Sequence, residues 1–339
     1  MTNNSPNPLV KFAIVGCGRI GKRHAELIQL NPEAELVALC DTADPLELNL
    51  EQFPAPLYNS LPDMLEAHPE LDVVNIATPN ALHAEQAVEV LNNGFHVVVE
   101  KPLGLTKTDA EQIIFTALHR NKHVFAVMQN RYSPPSKWLK DLVAGGKMGA
   151  INMVQINCFW NRDDRYYQPQ SWHGKKELDG GTLYTQFSHF IDIMYWLFGD
   201  IDHIQACIKD FNHQGLTEFE DSGMVSFQFL DGGSGTLSFT TSCWDTNFES
   251  SLTILGEKGT VKVGGQYMNE VEYCHVKDYQ MPELAPSNPA NDYGAYKGSA
   301  ANHVHLIENV IDVLNERGTI TTNALEGLKV VDIIERIYQ

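Results

Sequence analysis

Residues 12–26 read FAIVGCGRIGKRHAE, and this stretch decides the fold. The apolar run Phe12-Ala13-Ile14-Val15 has the length of a buried strand, and an amphipathic helix follows over residues 20–30. Between them Gly16, Gly18 and Gly21 make a G-x-G-x-x-G spacing in the strand–turn–helix setting that gives it meaning. Gly16 permits a tight turn, Gly18 lets backbone approach a pyrophosphate, and Gly21 lets helix and strand pack closely. Arg19 and Ile20 open the helix, whose N-terminal N–H groups carry partial positive charge suited to phosphate. The motif predicts a dinucleotide site.

Further apolar runs at 36–40, 73–77, 97–99 and 124–127 alternate with helical stretches such as 81–93 and 106–121. The second of these helices opens on Thr106 as N-cap, with Asp109 in its first turn. Short buried strands alternating with helices predict a doubly wound parallel sheet. After about Asn130 the pattern changes at Ser133-Pro134-Pro135. One apolar helix is expected over 182–197, then period-two strands at 222–230, 235–241 and 251–255 across short glycine turns. Residues 279–298 read as a loop, and helices over 303–316 and 323–338 close the chain. The expected class is α/β: a cofactor domain over 9–130, and a substrate and oligomerisation domain over 131–339 built on an open, mainly antiparallel sheet. Its alternating Val225, Phe227, Phe229, Leu237 and Phe239 suggest an apolar face needing cover, hence a homodimer or homotetramer.

A net charge of −19 argues against a nucleic-acid surface, and no apolar run reaches the roughly 18 residues of a membrane span. Residues 1–8 are polar with neither a basic nor an apolar stretch, so a frayed tail is expected there rather than a signal peptide. Six cysteines without a C-x-x-C predict reduced thiols, no metal site and a cytoplasmic setting.

Asp41 ends the second apolar run, twenty residues past Gly21, where a carboxylate accepts from ribose hydroxyls and repels a 2′-phosphate. That favours NAD over NADP. Thr78-Pro79-Asn80 follows the third run at the edge where open α/β sheets bind ligands. Asn80 fits a helix N-cap as well as a ligand contact, and His83 by itself reads as a surface histidine. Lys101, between Glu100 and Pro102 after the next run, is placed to orient a nicotinamide ribose or polarise a hydroxyl.

The glycine segment, followed by IATPNALHAEQAVEVLNNGFHVVVEKPL at Ile76–Leu103, resembles the glucose-fructose oxidoreductase / inositol dehydrogenase (Gfo/Idh/MocA) family over essentially the whole chain. The resemblance implies an N-terminal Rossmann domain and hydride transfer at a sugar carbon. It implies cofactor contacts from Thr78, Pro79, Asn80, His83, Glu100 and Lys101, often with a cis peptide before Pro102. GGTLYTQFSHFIDIMYWLFG at 180–199 resembles the family's second motif, which implies His189 as the partner of Lys101 in proton removal. Many relatives carry Asp four residues before that histidine, where this chain has Thr185. His189 and Asp192 share one helical face.

YYQPQSWHGKKELDGG and YKGSAANHVHLIENVIDVLNERG are similar to a subgroup, the UDP-N-acetyl-2-amino-2-deoxyglucuronate dehydrogenases, with His173 where that subgroup more usually has Lys. The similarity implies an anionic nucleotide-sugar oxidised at C3′, and so a local cationic patch from Arg131, Arg162, Arg165, Lys175 and Lys176. It implies stacking by Tyr166, Tyr167 and Trp172, and substrate contact by Thr185, Gln186, His189, Ser299, Asn302 and His303. The alternatives are a free polyol or aldose dehydrogenase, and a non-catalytic dinucleotide sensor.

Overall fold

The computed structural model describes residues 8–294 and 296–339, so most of the tail expected over 1–8 lies outside the described residues. The chain divides into two compact units. The first comprises the described part of Met1–Val127 with His303–Leu328, and the second Met128–Asn302 with Lys329–Gln339.

The first unit carries six parallel strands: β1 (Val10–Val15), β2 (Ala34–Cys40), β3 (Leu57–Tyr58), β4 (Val73–Ile76), β5 (His96–Val99) and β6 (Val124–Ala126). Their spatial order is β3-β2-β1-β4-β5-β6, so the direction of winding reverses between β1 and β4. A crevice opens at such a switch point, outside the carboxyl ends of the strands. The glycine loop, Asp41, Thr78 and Lys101 all lie just past those ends. Val97, Val98 and Val99 have no exposed surface, as expected of a strand covered on both faces. Each contributes about 1.5–3 kcal/mol by burial.

The sequence boundary between domains differs from the structure in one segment. Helix His303–Leu314 packs on helix Arg19–Leu30, and the Ala126 N–H donates to Thr322 O at 3.0 Å. His303–Leu328 therefore returns to the first unit, although its sequence position suggested the second.

The second unit is built on seven strands: β7 (Ile151–Phe159), β8 (Ile201–Lys209), β9 (Ser222–Phe229), β10 (Ser234–Thr240), β11 (Glu249–Gly256), β12 (Gly259–Gly264) and β13 (Glu270–Val276). Their order is β13-β12-β11-β7-β10-β9-β8; β7 and β10 pair in parallel and the other neighbours antiparallel. Val225, Phe227, Phe229, Leu237 and Phe239 are all buried. They do not form the open face: Phe229 packs on Phe198 with ring centroids 5.3 Å apart, and Phe239 on Phe187 at 5.9 Å. The opposite face shows Met224, 64% exposed, and Met153, 52% exposed. Among the described residues no helix is long and apolar enough to cross a membrane.

Candidate active site

Gly16 has φ +89°, and a Cβ there would stand 2.6 Å from Ala77 O. At Gly21 it would stand 1.8 Å from Gly16 O. Both glycines are therefore required by the turn itself. Gly18 differs: it holds the cap position of helix Arg19–Leu30 with no side-chain capping bond, and a Cβ there would meet nothing within 4 Å. That open space above a helix N-terminus fits a pyrophosphate. Gly18→Ala is expected to keep the melting temperature and to weaken NAD binding about ten-fold or more, because a methyl group enters the phosphate's approach. Calorimetry with NAD beside a thermal melt checks both halves.

Asp41 stands at the carboxyl end of β2, its carboxylate accepting from the Cys17 N–H at 2.6 Å and the Ala43 N–H at 2.9 Å. It is thus fixed beside the glycine loop. Burial, with Asp41 nearby, pushes the Cys17 thiol up to about 12, and burial pushes Cys40 up to about 11, so both stay neutral. No disulfide links the cysteines.

Thr78 Oγ1 donates to Gln86 Oε1 at 2.6 Å. Asn80 begins the 3-10 turn Asn80–Leu82, whose cap position is Pro79, so Asn80 is not the N-cap. His83 is buried rather than on the surface. Its Nδ1 lies 2.7 Å from Pro102 O and its Nε2 2.9 Å from Thr78 O, bracing the two loops together. Burial lowers its proton affinity against the pull of those two bonds. Lys101 follows β5 half-buried, with a cis peptide to Pro102. The Glu100 side chain turns inward to His24 at 3.0 Å and His303 at 3.4 Å. His303 is likewise buried there.

In the second unit the segment expected as one helix over 182–197 begins as a π-turn, Leu183–Phe187, before helix Ser188–Phe198. Such wide turns recur at functional sites. His189 is buried, and Gln129 Nε2 lies 3.4 Å from its Nε2. The Thr185 hydroxyl donates to the carboxylate of buried Asp179, which also accepts from the Gly174 N–H at 2.8 Å. A carboxylate thus reaches position 185 from six residues upstream. Neither Gln129 nor Asp179 was singled out in the sequence, since neither spacing to the 185–189 segment marks a helical face.

The three arginines expected in a patch have partners within the protein. Arg131 forms a buried ion pair with Asp192 through Nε at 2.9 Å and Nη2 at 2.5 Å. Arg165 is held by Asp163 and Asp245. Arg162, 1% exposed, stacks over Trp160, Tyr166 and Tyr296 at 4.8–5.2 Å. It donates to Gln186 Oε1, Asn161 O, Asn247 Oδ1 and Lys297 O, all neutral. Gln186 in turn donates to the Tyr166 hydroxyl at 2.8 Å. Tyr166 and Tyr167 are buried edge to face, and half-buried Trp172 stacks on His173 at 3.9 Å. Asn302 donates to Ser133 Oγ at 2.9 Å, and Ser299 to Asn130 Oδ1 at 2.5 Å.

The π-turn is capped from a distance. Glu220 Oε1 accepts from the Thr182 N–H at 3.0 Å and from the Tyr338 hydroxyl, which itself accepts from the Leu183 N–H at 3.0 Å. Burial pushes the Glu220 carboxyl up to about 7, against these bonds. The folded state therefore holds this proton more tightly than the unfolded chain. Glu220's contribution to stability is intact below about 4.5, falls as pH rises through 4.5 to 7, and levels off above. Urea unfolding at pH 5 and pH 8 is expected to give a smaller pH-dependent loss in Glu220→Gln than in the wild type; equal losses would contradict the assignment.

Comparison with known proteins adds the following. A family profile described as the oxidoreductase family's NAD-binding Rossmann fold matches residues 10–128, and one described as the GFO/IDH/MocA C-terminal domain matches residues 137–262. A crystal structure of the WlbA dehydrogenase from Bordetella pertussis, in complex with NADH and UDP-GlcNAcA, is 33% identical over 97% of this chain and 95% of that one, with a TM-score of 0.84. The Chromobacterium violaceum WlbA dehydrogenase with the same two ligands is 32% identical over 98% and 94%, with a TM-score of 0.87. An inositol 2-dehydrogenase from Salmonella paratyphi B is 26% identical over 75% of this chain and 74% of its own length.

Proposed function

The chain belongs to the GFO/IDH/MocA family of NAD-dependent oxidoreductases, and on that premise we propose that it oxidises a UDP-linked N-acetylamino-uronate at the sugar C3′ hydroxyl. The observation that carries this reading is the 33% identity, over 97% of the chain, to a dehydrogenase held with NADH and UDP-GlcNAcA. A likeness of that extent covers the segments around Tyr166 and Asn302 as well as the glycine loop. Such a product belongs to the synthesis of surface polysaccharide.

The Gly16–Gly21 loop and Asp41 would hold NAD, which would supply the hydride acceptor at C4 of its nicotinamide. Lys101 orients and polarises the reacting hydroxyl, and His189 is assigned as the group that takes its proton. Thr185 and Gln186 line the same π-turn, fastened by Asp179 and Arg162. Arg162 has no carboxylate among its partners in the described residues, so its buried positive charge favours an anionic substrate group nearby.

The test is NADH formation with UDP-N-acetylglucosaminuronate, UDP-N-acetylglucosamine, myo-inositol and glucose, each with and without 2-oxoglutarate. Turnover confined to the nucleotide-linked uronate supports the proposal. Turnover on myo-inositol alone would overturn it in favour of a free polyol, the second reading, which the likeness to inositol 2-dehydrogenase favours.

A further inference from the structure

We propose that Glu100, gripped by His24 and His303, is a positioning device that holds the peptide of Lys101. The inference rests on the role given to Lys101 above. Four segments of the first unit meet at this carboxylate. Helix Arg19–Leu30, which follows the glycine loop, brings His24, with Nε2 3.0 Å from Glu100 Oε1. Strand β4 brings Asn75, whose Nδ2 lies 2.9 Å from His24 Nδ1. Helix His303–Leu314 brings His303, with Nε2 3.4 Å from the same Oε1. The end of β5 brings Glu100 itself, its N–H donating to Ile76 O at 3.0 Å and its Oε2 accepting from the Lys101 N–H at 3.2 Å.

The arrangement is a proton clamp rather than a metal site, although two histidines and a carboxylate stand within 4.8 Å of one another. With the Asn75 amide donating to Nδ1, the imidazole proton must sit on Nε2. With the amide turned over, Nδ1 would donate to Asn75, and Nε2 would still need a proton to face a carboxylate. Either way the nitrogen aimed at Glu100 is protonated and cannot ligate. Burial would raise the Glu100 carboxyl, but the bond from His24 and the close approach of the His303 imidazole outweigh it and hold it well below the usual carboxylate range. Glu100 is therefore an anion, 6% exposed, with one oxygen on the imidazoles and the other on the Lys101 amide.

A buried carboxylate is costly to strand without partners, so the clamp has one low-energy geometry. That geometry fixes the backbone from which Lys101 extends. It also explains why the chain returns from the second unit with a histidine at the very start of its helix.

Two measurements test this. Pro102 has no amide hydrogen, so hydrogen exchange within Glu100–Pro102 reports only Glu100 and Lys101. In His303→Phe that exchange is expected to quicken about ten-fold or more, a result that needs no substrate. Kinetically, kcat is expected to fall about 30- to 100-fold, the scale of an ångström-sized misplacement. The NAD dissociation constant should stay within about two-fold, and His303→Gln, which keeps an N–H donor, should recover most of the loss. Unchanged exchange and kcat in folded His303→Phe would overturn the proposal. So would a loss of NAD affinity in step with kcat, a rise in KM alone, or a stoichiometric metal ion in the purified protein. Should His303→Phe not fold, Glu100→Gln carries the same comparison. Lys101→Ala separates the two claims: if it turns over normally the role of Lys101 fails, whereas a dead Lys101→Ala beside a fully active His303→Phe defeats the clamp alone.

Discussion

Lys101→Ala is expected to lower turnover by about 10²- to 10⁴-fold while the NAD dissociation constant changes by less than about two-fold. The split follows from where the binding contacts lie. On the proposed reading, pyrophosphate recognition falls to the glycine loop and the helix behind it, and ribose recognition to Asp41 at the end of β2. Lys101 lies after β5, two strands from β1 in the sheet order, so its amine contributes little to holding the adenylate half. In the role proposed for it, its effect is felt in the transition state, where a hydroxyl is losing its proton. Lys101→Arg keeps the charge but not the compact donor, and it is expected to recover less than a tenth of the loss. Steady-state kinetics on the substrate identified by the panel, with NAD titration by fluorescence, decides the point. Parallel loss of NAD affinity and turnover would move Lys101 from chemistry to cofactor binding.

What could be read in advance follows the locality of each signal. The glycine loop, Asp41 and Glu100-Lys101-Pro102 are short motifs at strand ends, and the strand order brings them to one edge of the sheet. Alternation in β9 and β10 correctly marked two faces but not which one is covered. Phe229 and Phe239 are packed against helix residues, while Met224 faces out. Period-two patterning carries no information on that choice when the outer face also holds apolar residues. Partners far apart in the chain were beyond reach altogether. His24 and Glu100 are 76 residues apart, and Arg131 and Asp192 are 61 apart. The partners of the arginines that the subgroup similarity implied as a patch were likewise out of reach of the sequence, and Arg131 and Arg165 are paired with carboxylates.

The Arg131–Asp192 pair carries the largest expected effect on stability. Asp192 has no exposed surface and Arg131 has 3%, and the two meet through a bidentate contact beneath Trp196, whose ring lies 5.2 Å from the guanidinium. Asp192→Ala strands a buried guanidinium and is expected to cost about 3–5 kcal/mol. For a cooperative unit of this size each kcal/mol is about 2–4 °C, so the melting temperature should fall by roughly 6–20 °C. The remedy distinguishes charge stranding from simple cavity formation. Arg131→Met combined with Asp192→Leu removes both charges at similar volume and should recover at least about half of the loss, since desolvation of the pair offsets most of its attraction. Activity should not return with it. Arg131 lies two residues past Gln129, and Asp192 three past His189, so the pair also bears on the Gln129–His189 contact, and through it on the role proposed for His189. A double variant that regains its melting temperature yet remains slow, at undiminished NAD affinity, would tie this ion pair to catalysis as well as to folding. One as active as wild type would confine it to folding.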